Sequence, residues 1–171
     1  MRRWTWPALA ALALFVCAAG RLAAQEDDAG IAIGRTPPAV TLEDLQGRAV
    51  DLAALIGSKP ALIEFWATWC PRCRELEPRL RAAHARYGAR VQFVAVAVAV
   101  NETADAVRRH LASDSTPYPF LWDGNGNAVR AFQAPATSYV VVLDKTRKVV
   151  YTGVGPEQNI DSVLARVTRP S

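Results

Sequence analysis

Cysteine is scarce in this chain, which has three, Cys17, Cys70 and Cys73, in 171 residues. So few sulfurs cannot form a stapling framework, so the fold must rest on an apolar core. Histidine is scarcer, with only His84 and His110. A structural zinc site takes about four ligands. His84 lies three helical turns beyond Cys73 and cannot share a metal with it, so no metal is expected. No basic tract with interleaved aromatics occurs, which leaves nucleic-acid binding without support. The apolar run from Ala8 to Gly20 falls short of the roughly 20 residues that span a bilayer. There are no internal repeats and no low-complexity blocks. What remains is a composition 51% hydrophobic, enough for one ordinary domain and a leader.

The leader is residues 1–24. Arg2 and Arg3 form a charged start, the apolar run follows, and Leu22-Ala23-Ala24 offers a small-residue cleavage site before Gln25. If retained, the run at 8–20 would serve as an N-terminal anchor. Phe15-Val16 fit a lipobox before Cys17 poorly, so lipidation is not expected. Cleavage would remove Arg2, Arg3 and Arg21 and lower the net charge from +4 to +1. It would also remove Cys17. An exported chain, periplasmic or otherwise extracytoplasmic, that keeps only Cys70 and Cys73 reads as redox-active.

Those two cysteines sit in Ala61–Leu80, ALIEFWATWCPRCRELEPRL. The bulky apolar run Ala61–Trp66 predicts a buried strand. Ala67-Thr68 breaks it, and Pro71 suits the first turn of a helix. An attacking sulfur must be a thiolate, which the N-terminal dipole and free N–H groups of a helix stabilise. A spacing of three returns the second sulfur to the same helical face, within reach of a disulfide. Cys70 is expected as the exposed nucleophile and Cys73 as the shielded resolving thiol.

Along the chain, 25–35 reads as a flexible linker and 36–171 as one domain. Val40–Leu42 and Ala49–Leu52 predict two short strands about a turn at Gln46-Gly47, with a helical turn at Leu52–Ile56. Pro71 to about Tyr87 predicts a helix stopped by Gly88 and kinked by Pro78. Val91–Val100, apolar throughout but for Gln92, predicts a central parallel strand. Thr103–Ala112 predicts a helix capped by Asn101 or Thr103. Pro117–Trp122 reads as an extended piece, Asp123–Gly126 as a turn and Ala128–Phe132 as a brief helix. A hairpin, Tyr139–Leu143 with Val149–Gly153, and a helix over Pro156–Val167 close the chain. The order β-α-β-α-β-β-α plus a strand pair is a single α/β domain.

PPAVTLEDLQGRAVDL, FWATWCPRC, Pro78 and YVVVLDKTRKVVYTG together resemble the thioredoxin superfamily, in its exported TlpA/ResA-like thiol-disulfide oxidoreductases, over roughly 34–168. The resemblance implies a thioredoxin fold, with a central mixed β-sheet flanked by helices and an N-terminal strand pair. It also implies dithiol chemistry at a Cys70–Cys73 disulfide without a cofactor. Glu64 falls where thioredoxins carry a buried acid beneath the CxxC. Desolvation would raise its pKa and let it pass a proton to and from Cys73; the competing reading is a strand-edge glutamate with its head in water. Substrate contacts are implied at Trp69, a flat shelf beside the sulfur, and at Pro71, Arg72, Thr137 and Ser138, while Trp66 reads as core. Partners implied are proteins bearing disulfides or dithiols and a membrane thiol-disulfide transporter that recycles a monomer.

Two departures stand out. Counting back from Asp144 places Ser138, not a proline, in the cis-proline slot facing the CxxC; Pro135 fills it only if the loop is longer. An acid often found two residues before the helix proline is here Leu76, flanked by Glu75 and Glu77. Arg72 favours the Cys70 thiolate, stabilising the reduced form and making a stronger oxidant. Reduction of protein disulfides is the expected direction by resemblance. Disulfide oxidation or isomerisation, and Cu(I) carriage by the same pair, are the alternatives. A thiol peroxidase fits less well, because its peroxidatic cysteine lacks the i+3 partner.

Overall fold

A computed structural model describes residues 30–169. The leader at 1–24, the anchor alternative at 8–20 and residues 25–29 of the expected linker lie outside the described residues. The elements run β1 (Thr41–Glu43), β2 (Ala49–Asp51), α1 (Leu52–Ile56), β3 (Ala61–Trp66), α2 (Pro71–Tyr87), β4 (Gln92–Val98), α3 (Ala104–Ser113), β5 (Phe120–Asp123), α4 (Asn127–Ala131), β6 (Tyr139–Leu143), β7 (Val149–Val154) and α5 (Ile160–Val167). Among them, no helix is long and apolar enough to cross a membrane.

One seven-stranded sheet carries the order β2-β1-β5-β4-β3-β6-β7. β3 pairs in parallel with β4, and β4 with β5. The remaining pairs are antiparallel, β3 with β6 among them. This is the mixed sheet with an N-terminal strand pair that the sequence predicts. The apolar runs become its centre because strands covered on both faces need no polar alternation. On one face Ile63, Phe65, Val94, Val96, Val141 and Phe132 pack together. On the other, Leu62, Phe93, Val140 and Val142 meet Leu76 and Leu80 of α2 and Leu164 of α5. The steps β3-α2-β4 and β4-α3-β5 move the same way across the sheet, so right-handed crossovers put α2 and α3 on one face. Arg81 joins them, donating to Asp114 Oδ1 at 2.7 Å and to the Ser115 carbonyl at 2.8 Å.

Three expectations need correction. The extended piece read at Pro117–Trp122 is a full strand of the sheet over Phe120–Asp123, seated between β1 and β4, with Asp123 in the strand rather than the turn. Its four residues are too few for a sequence period to separate from a loop. The last helix starts at Ile160 rather than Pro156, capped by Asn159, whose side chain accepts from Ser162 N–H. Gln158 is withheld from the helix because its amide donates to Ser138 O and Gly155 O. The described part of the linker is docked, not loose. Ile31 is buried and its N–H donates to Phe132 O and to the Tyr139 hydroxyl. Gly34 N–H and Arg35 O bond the two backbone groups of Val149.

Gly30 has φ +117°, and a Cβ there would fall on the Tyr139 ring and hydroxyl. Gly30→Ala should therefore destabilise the domain by about 2 kcal/mol or more. Urea unfolding midpoints of the two proteins check it.

Candidate functional site

α2 begins at the carboxyl end of β3, where a tight turn hands the chain from sheet to helix. Cys70 is the N-cap, Pro71 the first helical residue, and the Cys73 N–H donates to Cys70 Sγ at 3.1 Å. Cys70 and Cys73 are joined as a disulfide across Cα atoms 5.3 Å apart. A sulfur in the N-cap position takes the role a serine or aspartate oxygen usually has, satisfying an orphan helix N–H. When reduced, the same N–H and the helix dipole favour its thiolate. The expectation of an exposed Cys70 needs correction: it is 2% accessible and Cys73 is fully buried. Both cysteines belong to the same buried apolar cluster as Phe65, Trp66 and Ala67. α2 then runs unbroken through Pro78 to Tyr87.

The residue before Cys70 is Trp69, 44% exposed, whose indole N–H donates to Val100 O at 2.9 Å. The preceding residue is clamped too. Glu102 Oε2 accepts from Thr68 N–H at 2.8 Å and from its hydroxyl at 2.5 Å. The β4–α3 turn thus holds both residues before Cys70. Sequence reading passed over Glu102, because nothing local links it to a loop 34 residues earlier.

Ser138 lies beside the carboxyl end of β3, next to Phe65. It immediately precedes β6, its N–H donates to Phe65 O at 2.7 Å, and its carbonyl accepts from Gly155 N–H and Gln158. It is fully buried at φ +55°, and its hydroxyl has no hydrogen-bond partner. Pro135 lies exposed three residues earlier and Thr137 is half-buried beside the slot. No described peptide bond is cis. Proline needs φ near −65° and has no N–H to give Phe65. Ser138→Pro should therefore cost about 3 kcal/mol, read from thermal or urea unfolding. Arg72, exposed between the cysteines, reaches the same region: its guanidinium lies against Gly155, where an added Cβ would sit 2.5 Å from Nη2.

Glu64 is 3% exposed, and its Oε1 has no hydrogen-bond partner. Burial, and secondarily the Glu77 carboxylate, push its pKa up to about 8. The water-exposed reading of Glu64 is thereby set aside: all six residues of β3 are buried. His84 and His110 pack edge-on or tilted against aromatic rings, His84 on Phe93 and Tyr118, His110 on Trp66. The significance of Glu77 was legible in part, since it follows Cys73 by four residues and so shares its helix face. The walls around Glu64 were not, because they come from α3 and the segment before β5.

Comparison with known proteins agrees with this geometry. The Redoxin family profile matches residues 32–167. A thioredoxin-like protein of Haemophilus influenzae is 34% identical over 116 residues, 67% of each chain. The thiol-disulfide oxidoreductase ResA of Bacillus subtilis is 26% identical over 147 residues, 84% of this chain and 81% of its own. Among solved structures, one from Chlorobium tepidum described as a thiol:disulfide interchange protein DsbE superposes with TM-score 0.68. It is 26% identical and covers 80% of this chain and 94% of that one. The fold is that of thioredoxin.

Proposed function

Because this chain belongs to the Redoxin family, we propose that it is an exported thiol-disulfide oxidoreductase that reduces disulfides in protein substrates. The observation that carries the reading is the Cys70–Cys73 disulfide at the start of α2, with Cys73 N–H on Cys70 Sγ. Relatives named as thiol-disulfide oxidoreductases match over most of this chain and support it.

In the reduced protein, the Cys70 thiolate attacks one sulfur of a substrate disulfide. The new S–S bond forms as the substrate bond breaks, and the departing substrate sulfur takes a proton from solvent. The Cys73 thiol then gives its proton to the Glu64 carboxylate and attacks Cys70 Sγ. The protein disulfide closes and the second substrate sulfur leaves. Two electrons pass from the dithiol to the substrate, and a partner dithiol must return them. A membrane thiol-disulfide transporter fits that role, because an exported space lacks thioredoxin reductase. Trp69 gives the substrate peptide a flat apolar wall, and Pro71, Arg72 and Thr137 line its other side, while Ser138, fully buried, does not reach it. The protein works as a monomer.

Disulfide donation is a second reading with a specific observation in its favour. The N–H on Cys70 Sγ and the Arg72 cation both stabilise the thiolate, which makes the disulfide more oxidising. Equilibration with glutathione on protein lacking residues 1–24 separates the readings. A potential near about −270 mV supports the reductase, and one near about −120 mV the donor. The absence of a reversible disulfide would refute both and turn attention to Cu(I) binding, which copper titration of the reduced pair would detect.

A further inference from the structure

Between β3, α2 and α3 lies a small, partly open cavity of about 10 Å³. That is space for about one water molecule. Glu64 forms its inner end, and its unpartnered Oε1 is buried there. The polar groups facing it come from three elements. Glu77 comes from α2, His110 and Asp114 from α3, and Thr116 and Tyr118 from the segment leading to β5. Trp66, Leu111 and Phe120 complete the wall.

The outer end is Glu77, whose side chain is 22% exposed. Arg81 holds that carboxylate through Nε at 2.8 Å and Nη2 at 2.5 Å, both to Oε1. The same guanidinium bonds Asp114 and the Ser115 carbonyl, so it closes α2 against α3 over the cavity. A buried carboxyl oxygen, a water-sized space and a half-exposed carboxylate therefore lie in sequence from the interior to the surface. Glu77 is also four residues beyond Cys73 on the same helix face, one turn from the sulfur whose proton must leave.

We propose that this cavity binds one water and that Glu77 is its outer positioning residue, forming the route by which the Glu64 proton exchanges with solvent. The inference rests on the proton role given to Glu64 above and adds the path and the residue that tunes it. In the resolving step the proton passes from Cys73 to Glu64. It then moves through the water to the Glu77 carboxylate and on to bulk water, which frees Glu64 to accept the next proton. The Glu77 charge disfavours ionisation of Glu64 across the cavity, and Arg81 partly offsets it. Burial raises the Tyr118 phenol well above its ordinary value, so it stays protonated and can donate to the water.

The test is the pH profile of disulfide closure in the reduced protein, with oxidised dithiothreitol as the probe. Wild type should show a midpoint that vanishes in Glu64→Gln. Glu77→Gln should lower that midpoint by half a pH unit or more, about threefold in proton affinity, and Glu77→Asp should largely restore it. Arg81→Met should move it the opposite way, upward, because Glu77 loses its counter-charge. Damage to the fold would not produce shifts of opposite sign, and urea unfolding of each variant monitors folding. A midpoint present in wild type, absent in Glu64→Gln and unmoved in Glu77→Gln would overturn the route while leaving the role of Glu64 intact. A profile that Glu64→Gln does not change would overturn both.

Discussion

Replacing Cys73 by alanine is expected to stop turnover while leaving Cys70 able to attack. Cys70 Sγ would form the mixed disulfide, but nothing would release it, so the protein should accumulate covalently bound to its substrate. Non-reducing electrophoresis and intact mass spectrometry would show an adduct that dithiothreitol removes. Turnover with a protein disulfide should fall by at least about a thousandfold, since the resolving thiol is replaced by chance encounters with external thiols. Cys70→Ala should lose turnover without forming the adduct. The difference between the variants follows from their positions. Cys70 sits at the N-cap, next to the exposed Trp69, whereas Cys73 is fully buried one turn inside. An adduct in Cys70→Ala and none in Cys73→Ala would reverse these assignments.

Glu64→Gln is expected to change how the stability of the oxidised protein depends on pH. The folded carboxyl titrates at about 8, against 4.5 for the unperturbed group. A carboxyl with a raised native pKa binds more protons folded than unfolded between those values, so stability falls as pH rises through that window. Wild type should lose on the order of 4 kcal/mol from pH 4.5 to pH 8 on this account. Glu64→Gln carries no charge to bury and should lack that decline, so it should be less sensitive to alkali and more stable than wild type near pH 8. Urea unfolding across pH 4–9 gives the comparison directly. Parallel declines in the two proteins would show that Glu64 is not the group responsible. Stability gained at pH 8 would come with impaired closure of the disulfide, the expected trade where a buried acid is kept for chemistry.

The two variants also separate chemistry from support. In the proposed reaction Cys73 acts on the reacting atoms and Glu64 takes its proton. Glu102, Gln158 and the backbone of Ser138 do neither. They hold Thr68 and the loop before β6 in place through bonds that cross the sequence.

How much of this was legible in the sequence depends on the range of each interaction. β3, β4 and β6 announced themselves as apolar runs broken only by Glu64 and Gln92, because strands covered on both faces are mostly apolar. The CxxC with Pro71, and the stop of α2 at Gly88, are local signals read within one helix. The position of Ser138 followed from counting along a strand of fixed rise. These features the amino-acid order determined by itself, because their causes lie within a few residues of their effects. The tertiary structure decided the rest. It buried Cys70 within the core cluster, made Phe120–Asp123 a strand by giving it β4 as a partner, and docked Ile31 against Phe132 and Tyr139. It also built the cavity at Glu64 from α2, α3 and the segment before β5, residues up to 56 positions apart in the chain between Glu64 and Phe120. Burial and hydrogen bonding across such separations depend on where other elements come to lie. No local pattern encodes them, and they raise the pKa of Glu64.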